Sequence, residues 1–141
     1  MENMTAMRAF KLAKNEKFYT KLLKDYPDLW IYMENMFDEE PDSLAVLAER
    51  MQGQRFAVTL DIAHAHISKT PVQIWHDRLS PYIMHYHLND NGGKVDEHKP
   101  AGEGNIDWKN IFPMLKKDAT KLIEVRTLED YAKSKEYFLK L

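Results

Sequence analysis

Four β-rich runs in this chain each carry a proton- or cation-binding side chain near their carboxyl end, and no other feature narrows the fold as much. The runs are WIYMENM (30–36), RFAVTLDIA (55–63), YIMHYHLND (82–90) and KLIEVR (121–126), and the side chains are Glu34, Asp61, His87 and Glu124. Segments with helical signals separate them. Residues 4–24 repeat Met7, Phe10, Leu12, Phe18, Leu22 and Leu23 at helical spacing until Pro27 breaks the pattern. DSLAVLAERMQG (42–53) is entered near Pro41 and ends near Gly53. TPVQIWHDRL (70–79) has Thr70 as a cap and Pro71 at the first helical position. IDWKNIFPMLKK (106–117) reads as a helix despite Pro113, and TLEDYAKSKEYFLKL (127–141) as a closing one. Strand and helix in strict alternation predict an α/β fold of parallel strands joined by right-handed crossovers.

Parallel α/β folds place their chemistry at the carboxyl ends of the strands. Side-chain alternation sends Trp30, Tyr32 and Glu34 to one face, Ala57, Thr59 and Asp61 to one face, and Ile83, His85 and His87 to one face. If these faces share a barrel interior, three carboxylates and one imidazole converge. Bare carboxylates at that spacing repel one another and take up protons, whereas a divalent cation removes most of the conflict. An acid at one strand end is an ordinary turn cap. Four out of four are harder to dismiss and point to a metal site, against an unmetallated substrate pocket or coincidence.

Composition limits what such a site can use. There is no cysteine, so disulfides and thiolate ligands are absent and any metal must be held by imidazole and carboxylate. That donor set suits Mn, Co, Zn, Mg or Fe. A net charge of -2 with both signs mixed leaves no basic stripe for a phosphate backbone, which disfavours nucleic acid as a partner. Charges interrupt each short apolar run near the start, so neither a signal peptide nor a membrane span is expected, and the cytoplasm is the default location. A chain of 141 residues suits one domain with a real core.

The stretch HYHLNDNGGKVDEHKPAGEG (85–104) holds three of the six histidines and four of the five glycines, and it introduces a second set of donors. His64 follows Asp61 by three residues in LDIAHAH, and Asp96 and His98 form the DxH of VDEH. A DxH pair in an extended segment presents both side chains on one side. A second metal, a substrate contact or a network that holds the loop all fit His64, Asp96 and His98. The other histidines are read plainly: His66 exposed, His76 on a helix beside Asp77 and Arg78, and His85 a wall residue one layer below His87. Gly102 and Gly104 are assigned to a turn and helix cap.

YMENMFD, TLDIAHAH, HYHLNDNGGKVDEHKPAGEGNIDW and LIEVR, taken in order, resemble the second half of the xylose-isomerase-like TIM-barrel superfamily. That group includes sugar phosphate isomerases and epimerases and the family-2 apurinic/apyrimidinic endonucleases. The likeness covers about residues 28–141. It implies that Glu34, Asp61, His87 and Glu124 are the four ligands of one divalent metal. It further implies that Glu34 and Glu124 form the acid/base pair moving a proton next to a carbonyl through a metal-stabilised enediolate. The implied substrate is a sugar or sugar phosphate, with His64 contacting it. In the endonuclease branch His64, Asp96 and His98 match ligands of another zinc, and Glu34 is similar to a residue bridging two ions. That branch also needs two histidines from early strands, and no histidine precedes His64.

The expectation is therefore a metal-dependent isomerase- or epimerase-like protein, with a zinc phosphodiesterase or a non-catalytic metal-binding remnant as alternatives. A full barrel of this type has eight strands in roughly 250 residues. The resemblance implies a partial (β/α) barrel, with strands corresponding to the last four, as a single C-terminal half-barrel domain over residues 1–141. Half a barrel leaves two unpaired edges and an uncovered inner face. A missing N-terminal half, a homodimer or an open remnant each answer that problem. The first 25 residues resemble the helix preceding a fifth strand, which favours truncation.

Overall fold

A computed structural model of the chain describes residues 6–141, so the first two residues expected in the opening helix, 4 and 5, lie outside the described residues. In chain order the elements are α1 (Ala6–Asp25), β1 (Ile31–Glu34), α2 (Asp42–Arg50), β2 (Phe56–Asp61), α3 (Ile62–Ile67) and α4 (Val72–Leu79). They continue with β3 (Ile83–Leu88), α5 (Trp108–Ile111), a 3-10 turn (Phe112–Met114), β4 (Thr120–Ile123) and α6 (Leu128–Phe138). The strands form one parallel sheet in sequence order, β1-β2-β3-β4. This is the expected α/β partial barrel: an open, parallel four-stranded sheet with flanking helices.

The core lies on one face of the sheet. Val58, Leu60, Ile83, Tyr86 and Leu88 meet Leu44, Trp75, Leu79 and Trp108 from the helices, all buried. Each such aliphatic side chain contributes roughly 1.5–3 kcal/mol by leaving water. A smaller cluster seats α1 on α2 through Leu12 and Leu23 against Leu47 and Met51. The apolar row expected along α1 is only half used, because Met7, Phe10 and Phe18 are exposed.

The opposite face carries Tyr32 and Leu122, 44% and 47% exposed, and Trp30, next to Tyr32, is also exposed. Among the described residues β1 and β4 each have a strand neighbour on one side alone. Among the described residues no helix is long and apolar enough to cross a membrane.

Several boundaries differ from expectation, each for a local reason. β2 stops at Asp61 instead of running to 63, because the Asp61 carboxylate accepts the backbone N–H of His64 at 2.7 Å and starts α3 at once. His64 is thus on a helix. The register slips between Val58, paired with Ile83, and Thr59, paired with His85. Ile83 therefore packs in the helix-side core and does not share a face with His85 and His87. Thr70 is not a cap: its hydroxyl donates to the Glu39 carbonyl at 2.8 Å, and Pro71 occupies the N-cap position of a helix that begins at Val72.

The helix expected over 106–117 is short. α5 gives way to the 3-10 turn that contains Pro113, which has no N–H to continue the ladder. Among the remaining histidines, His66 is half-buried rather than exposed, its Nε2 lying 2.7 Å from Asn105 Oδ1. His76 is buried, with Nε2 2.9 Å from the Tyr86 hydroxyl. His85 sits one layer below His87, as expected, and meets Thr120 Oγ1 through Nδ1 at 2.6 Å.

Candidate metal centre

Glu34 ends β1, Asp61 ends β2, His87 is the penultimate residue of β3, and Glu124 is the first residue beyond β4. The ladder sets their common level. Asp61 and His87 are register partners, and the Glu124 N–H donates to the Leu88 carbonyl at 3.0 Å, which carries the β3–β4 pairing one residue past the strand. One donor atom from each of the four side chains lies within 4.8 Å of the other three. Among the described residues this is the one group of such side chains gathered so closely.

His87 Nδ1 is the focus of the group. It lies 3.2 Å from Glu34 Oε1, 3.1 Å from Glu124 Oε2 and 3.8 Å from Asp61 Oδ2. A ring nitrogen carries at most one proton, and its geometry directs that proton to Glu34. Glu124 Oε2 is buried and receives no hydrogen bond. Three carboxylates and one imidazole nitrogen that face a single point exceed what one proton can satisfy; a divalent cation accepts all four. The all-nitrogen-and-oxygen donor set fits Mn, Co, Zn or Mg.

Charge states follow the same geometry. The His64 and His87 imidazoles beside it outweigh burial and pull the Glu34 carboxyl down to about 2. Burial pushes Asp61 up to about 6, against the partial relief that His64 supplies. Burial alone would lower His64. Glu34, Asp61, the Asn35 carbonyl and Asp96 overcome that and hold it up to about 10. His87 is raised, first by its hydrogen bond to Glu34.

The second predicted set also comes together, in a different manner. Asp96 Oδ2 is 2.8 Å from His98 Nε2 and 3.4 Å from His64 Nε2, while Asp96 Oδ1 is buried without a hydrogen-bond partner. Each imidazole ties the trio to the first cluster. His64 Nδ1 lies 3.3 Å from Glu34 Oε1, and His98 Nδ1 donates to the Glu124 carbonyl at 3.2 Å. His98 holds a left-handed backbone, φ 52, which aims its ring back at the strand ends. A cleft lined by Met36, Phe37, His64 and Lys94 opens beside this trio.

Asn35 and Asp90 are among the structural residues that escaped the reading of the sequence. Asn35 takes the place of a strand neighbour for Asp61: its amide accepts the Asp61 N–H at 2.8 Å and donates to the Asp61 carbonyl at 3.0 Å. Its own carbonyl then fixes His64 Nδ1 at 2.8 Å. Asp90, fully buried, accepts the N–H groups of Asn91, Gly102 and Ile106 and the Trp108 indole at 2.9, 2.9, 3.2 and 2.9 Å. This folds the loop that carries Asp96 and His98. Gly104 is required there, since a Cβ would stand 2.1 Å from Asp90 Oδ1. An Asp in a run of loop residues with glycines some twelve positions on was the available signal.

A family model described as xylose isomerase-like TIM barrel matches residues 10–140 of the chain. An uncharacterised protein of Methanocaldococcus jannaschii is 33% identical over 101 residues, which covers 68% of this chain and 34% of that protein. A second uncharacterised protein of the same organism is 39% identical over 70 residues, 49% of this chain and 27% of its own length. A probable endonuclease 4 of Protochlamydia amoebophila is 44% identical over 43 residues, 28% of this chain and 15% of its own length. Among solved structures, a Thermus thermophilus protein soaked with ZnCl2 superimposes with a TM-score of 0.75 at 27% identity, covering 95% of this chain and 52% of that one. The chain thus spans at most about a third of those curated relatives and about half of the solved chain.

Proposed function

The chain belongs to the xylose isomerase-like TIM-barrel family, and from that premise we propose that it serves proton transfer next to the carbonyl of a sugar or sugar phosphate, with one divalent cation held by Glu34, Asp61, His87 and Glu124. The observation that carries this reading is the gathering of four donor atoms within 4.8 Å from four successive strand ends. When bound, the ion would polarise substrate oxygens and offset the negative charge that develops on them. Glu34 and Glu124 come from the two outermost strands, so a substrate above the sheet meets one carboxylate from each side. One takes the proton and the other returns it. Asp61, fully buried, anchors rather than transfers. His64 orients a substrate oxygen from the neighbouring cleft.

The test is bound Mn or Co in the wild type, Glu34→Ala and Glu124→Ala, followed by turnover on panels of ketoses and ketose phosphates. Loss of the metal in both variants is expected. Unchanged metal stoichiometry in both would rule out the four-ligand site.

A second reading, a zinc phosphodiesterase, draws on the His64–Asp96–His98 trio and on the short likeness to a probable endonuclease 4. Zn-dependent cleavage of an abasic duplex that disappears in His98→Ala would place it first.

The uncovered inner face belongs to the same proposal. The described chain has a helix ahead of β1 and another after β4, so both edges bring their own. A (β/α) barrel has one helix per strand. Two copies closing a ring would therefore bring two helices to each junction. Residues 1–141 read better as a half-barrel unit completed by four strands whose helices lie only between them. Light scattering that shows a tight homodimer would overturn this preference.

A further inference from the structure

Asp61 is the most constrained member of the candidate centre, and what constrains it is a pair of buried asparagines. Asn35, 1% exposed, closes both backbone hydrogen bonds of Asp61 at the point where β1 has ended. Asn89, 0% exposed and two residues after His87, donates its amide N–H to Asp61 Oδ2 at 3.3 Å. The other carboxylate oxygen, Oδ1, is occupied by the N–H of His64 at 2.7 Å. Oδ2 is the atom that faces His87 Nδ1 at 3.8 Å. Asn89 Oδ1 is buried without a hydrogen-bond partner, so the Asn89 side chain is only half satisfied. A buried amide in that condition gives little net stability to the fold. Its placement is accounted for by what it does to Asp61.

We propose that Asn89, with Asn35, is a positioning residue that presents Asp61 to a divalent cation through Oδ2 alone. The two asparagines divide the task. Asn35 fixes where the Asp61 backbone sits, and Asn89 fixes the carboxylate torsion by engaging one lone pair of Oδ2, which leaves the other for the ion. With Oδ1 engaged by His64, Asp61 is a one-oxygen ligand, and the cation keeps room for substrate oxygens. Partners of this kind behind a ligand typically govern affinity by about 10- to 100-fold. This inference rests on the metal reading given above.

The experiment is Co(II) titration of the purified chain, followed by its visible absorption, together with thermal melting of the metal-free protein. Asn89→Leu keeps the branched four-atom skeleton of the side chain, with slightly more bulk, and removes both the donor and the unsatisfied acceptor; Asn89→Ala is the second variant. The expected result is Co(II) affinity lower by roughly tenfold or more and an altered absorption envelope, while the metal-free Asn89→Leu protein melts no lower than wild type. A purely structural role predicts the reverse, a lower melting temperature with unchanged affinity and spectrum, and that result would overturn the inference. If wild type binds Co(II) and Glu124→Ala does not, but both Asn89 variants bind as wild type, this inference alone falls. If wild type takes up no Co(II), the metal reading falls with it.

Discussion

The two donor clusters touch one another and yet are built on different principles. Glu34, Asp61, His87 and Glu124 stand at or just beyond the ends of adjacent parallel strands, so backbone pairing sets their level before any side chain is chosen. His64, Asp96 and His98 come from a short helix and a loop, and they meet through one oxygen of Asp96. A ladder repeats its geometry, so a donor at each strand end is preorganised by the same hydrogen bonds that make the sheet. A loop has no such repeat and needs its own anchor, which here is the carboxylate of Asp90.

Removal of that anchor should separate the clusters most strongly. Asp90→Ala leaves four N–H donors without their acceptor in a buried site, at roughly 1–3 kcal/mol each before water enters. The expected loss is about 4 kcal/mol in urea unfolding, with amide exchange rising in residues 91–107 ahead of the strands. Equal exchange in strands and loop would show that the two regions are one cooperative unit.

Proton linkage gives the next effect. A cation must displace the proton of Asp61, whose carboxyl is raised to about 6, and that of His87, which is also raised. Cation affinity in the first cluster should climb by about tenfold or more from pH 5 to pH 7, as isothermal titration would read. Without metal the signs differ by residue. Asp61 contributes stability below its ordinary 3.8 and loses it as pH rises through about 6. Glu34 contributes above its ordinary 4.5 and loses that as pH falls through about 2. Melting in chelator from pH 4 to pH 7 should therefore fall from the Asp61 contribution, and a saturating cation should flatten or reverse the trend.

The smallest expected effect is the sharpest on independence. His98→Ala removes a member of the second cluster and a hydrogen bond to the Glu124 backbone carbonyl, not to its carboxylate. First-cluster affinity for Co(II) should stay within about threefold of wild type. A change as large as that of Glu124→Ala would mean that the two clusters form one polynuclear site.

Much of this site was legible in advance because a strand shows its end in the sequence. The run AVTLD ends on, and IMHYHL carries next to its end, a residue that an aliphatic core would not choose, and parallel order then brings those residues together. The second trio was found in part for the same reason, since DxH is a local pattern. Its status as a hydrogen-bonded network around Asp96 Oδ2 was not, because that depends on the left-handed turn at His98 and on the fold of the preceding loop. The turn of β2 directly into α3 was missed because Asp61 serves both as a strand end and as a helix cap. The slip beside Val58 was missed because nothing in IMHYH marks which residue is the extra one.

Residue type and order alone determined the α/β class, the parallel sheet, the absence of sulfur ligands and the four strand-end donors, since these follow from periodicity and chemistry along the chain. Tertiary structure decided which atoms face the common point, that Asn35 and Asn89 stand behind Asp61, and that Asp90 carries the loop. The contacts run from 12 positions apart, between Asp90 and Gly102, to 53, between Glu34 and His87, with distances set by register and packing rather than by neighbours in sequence. The open inner face with Tyr32 and Leu122 belongs to the tertiary level as well, because a strand's alternation shows that it has two faces but not which of them is covered.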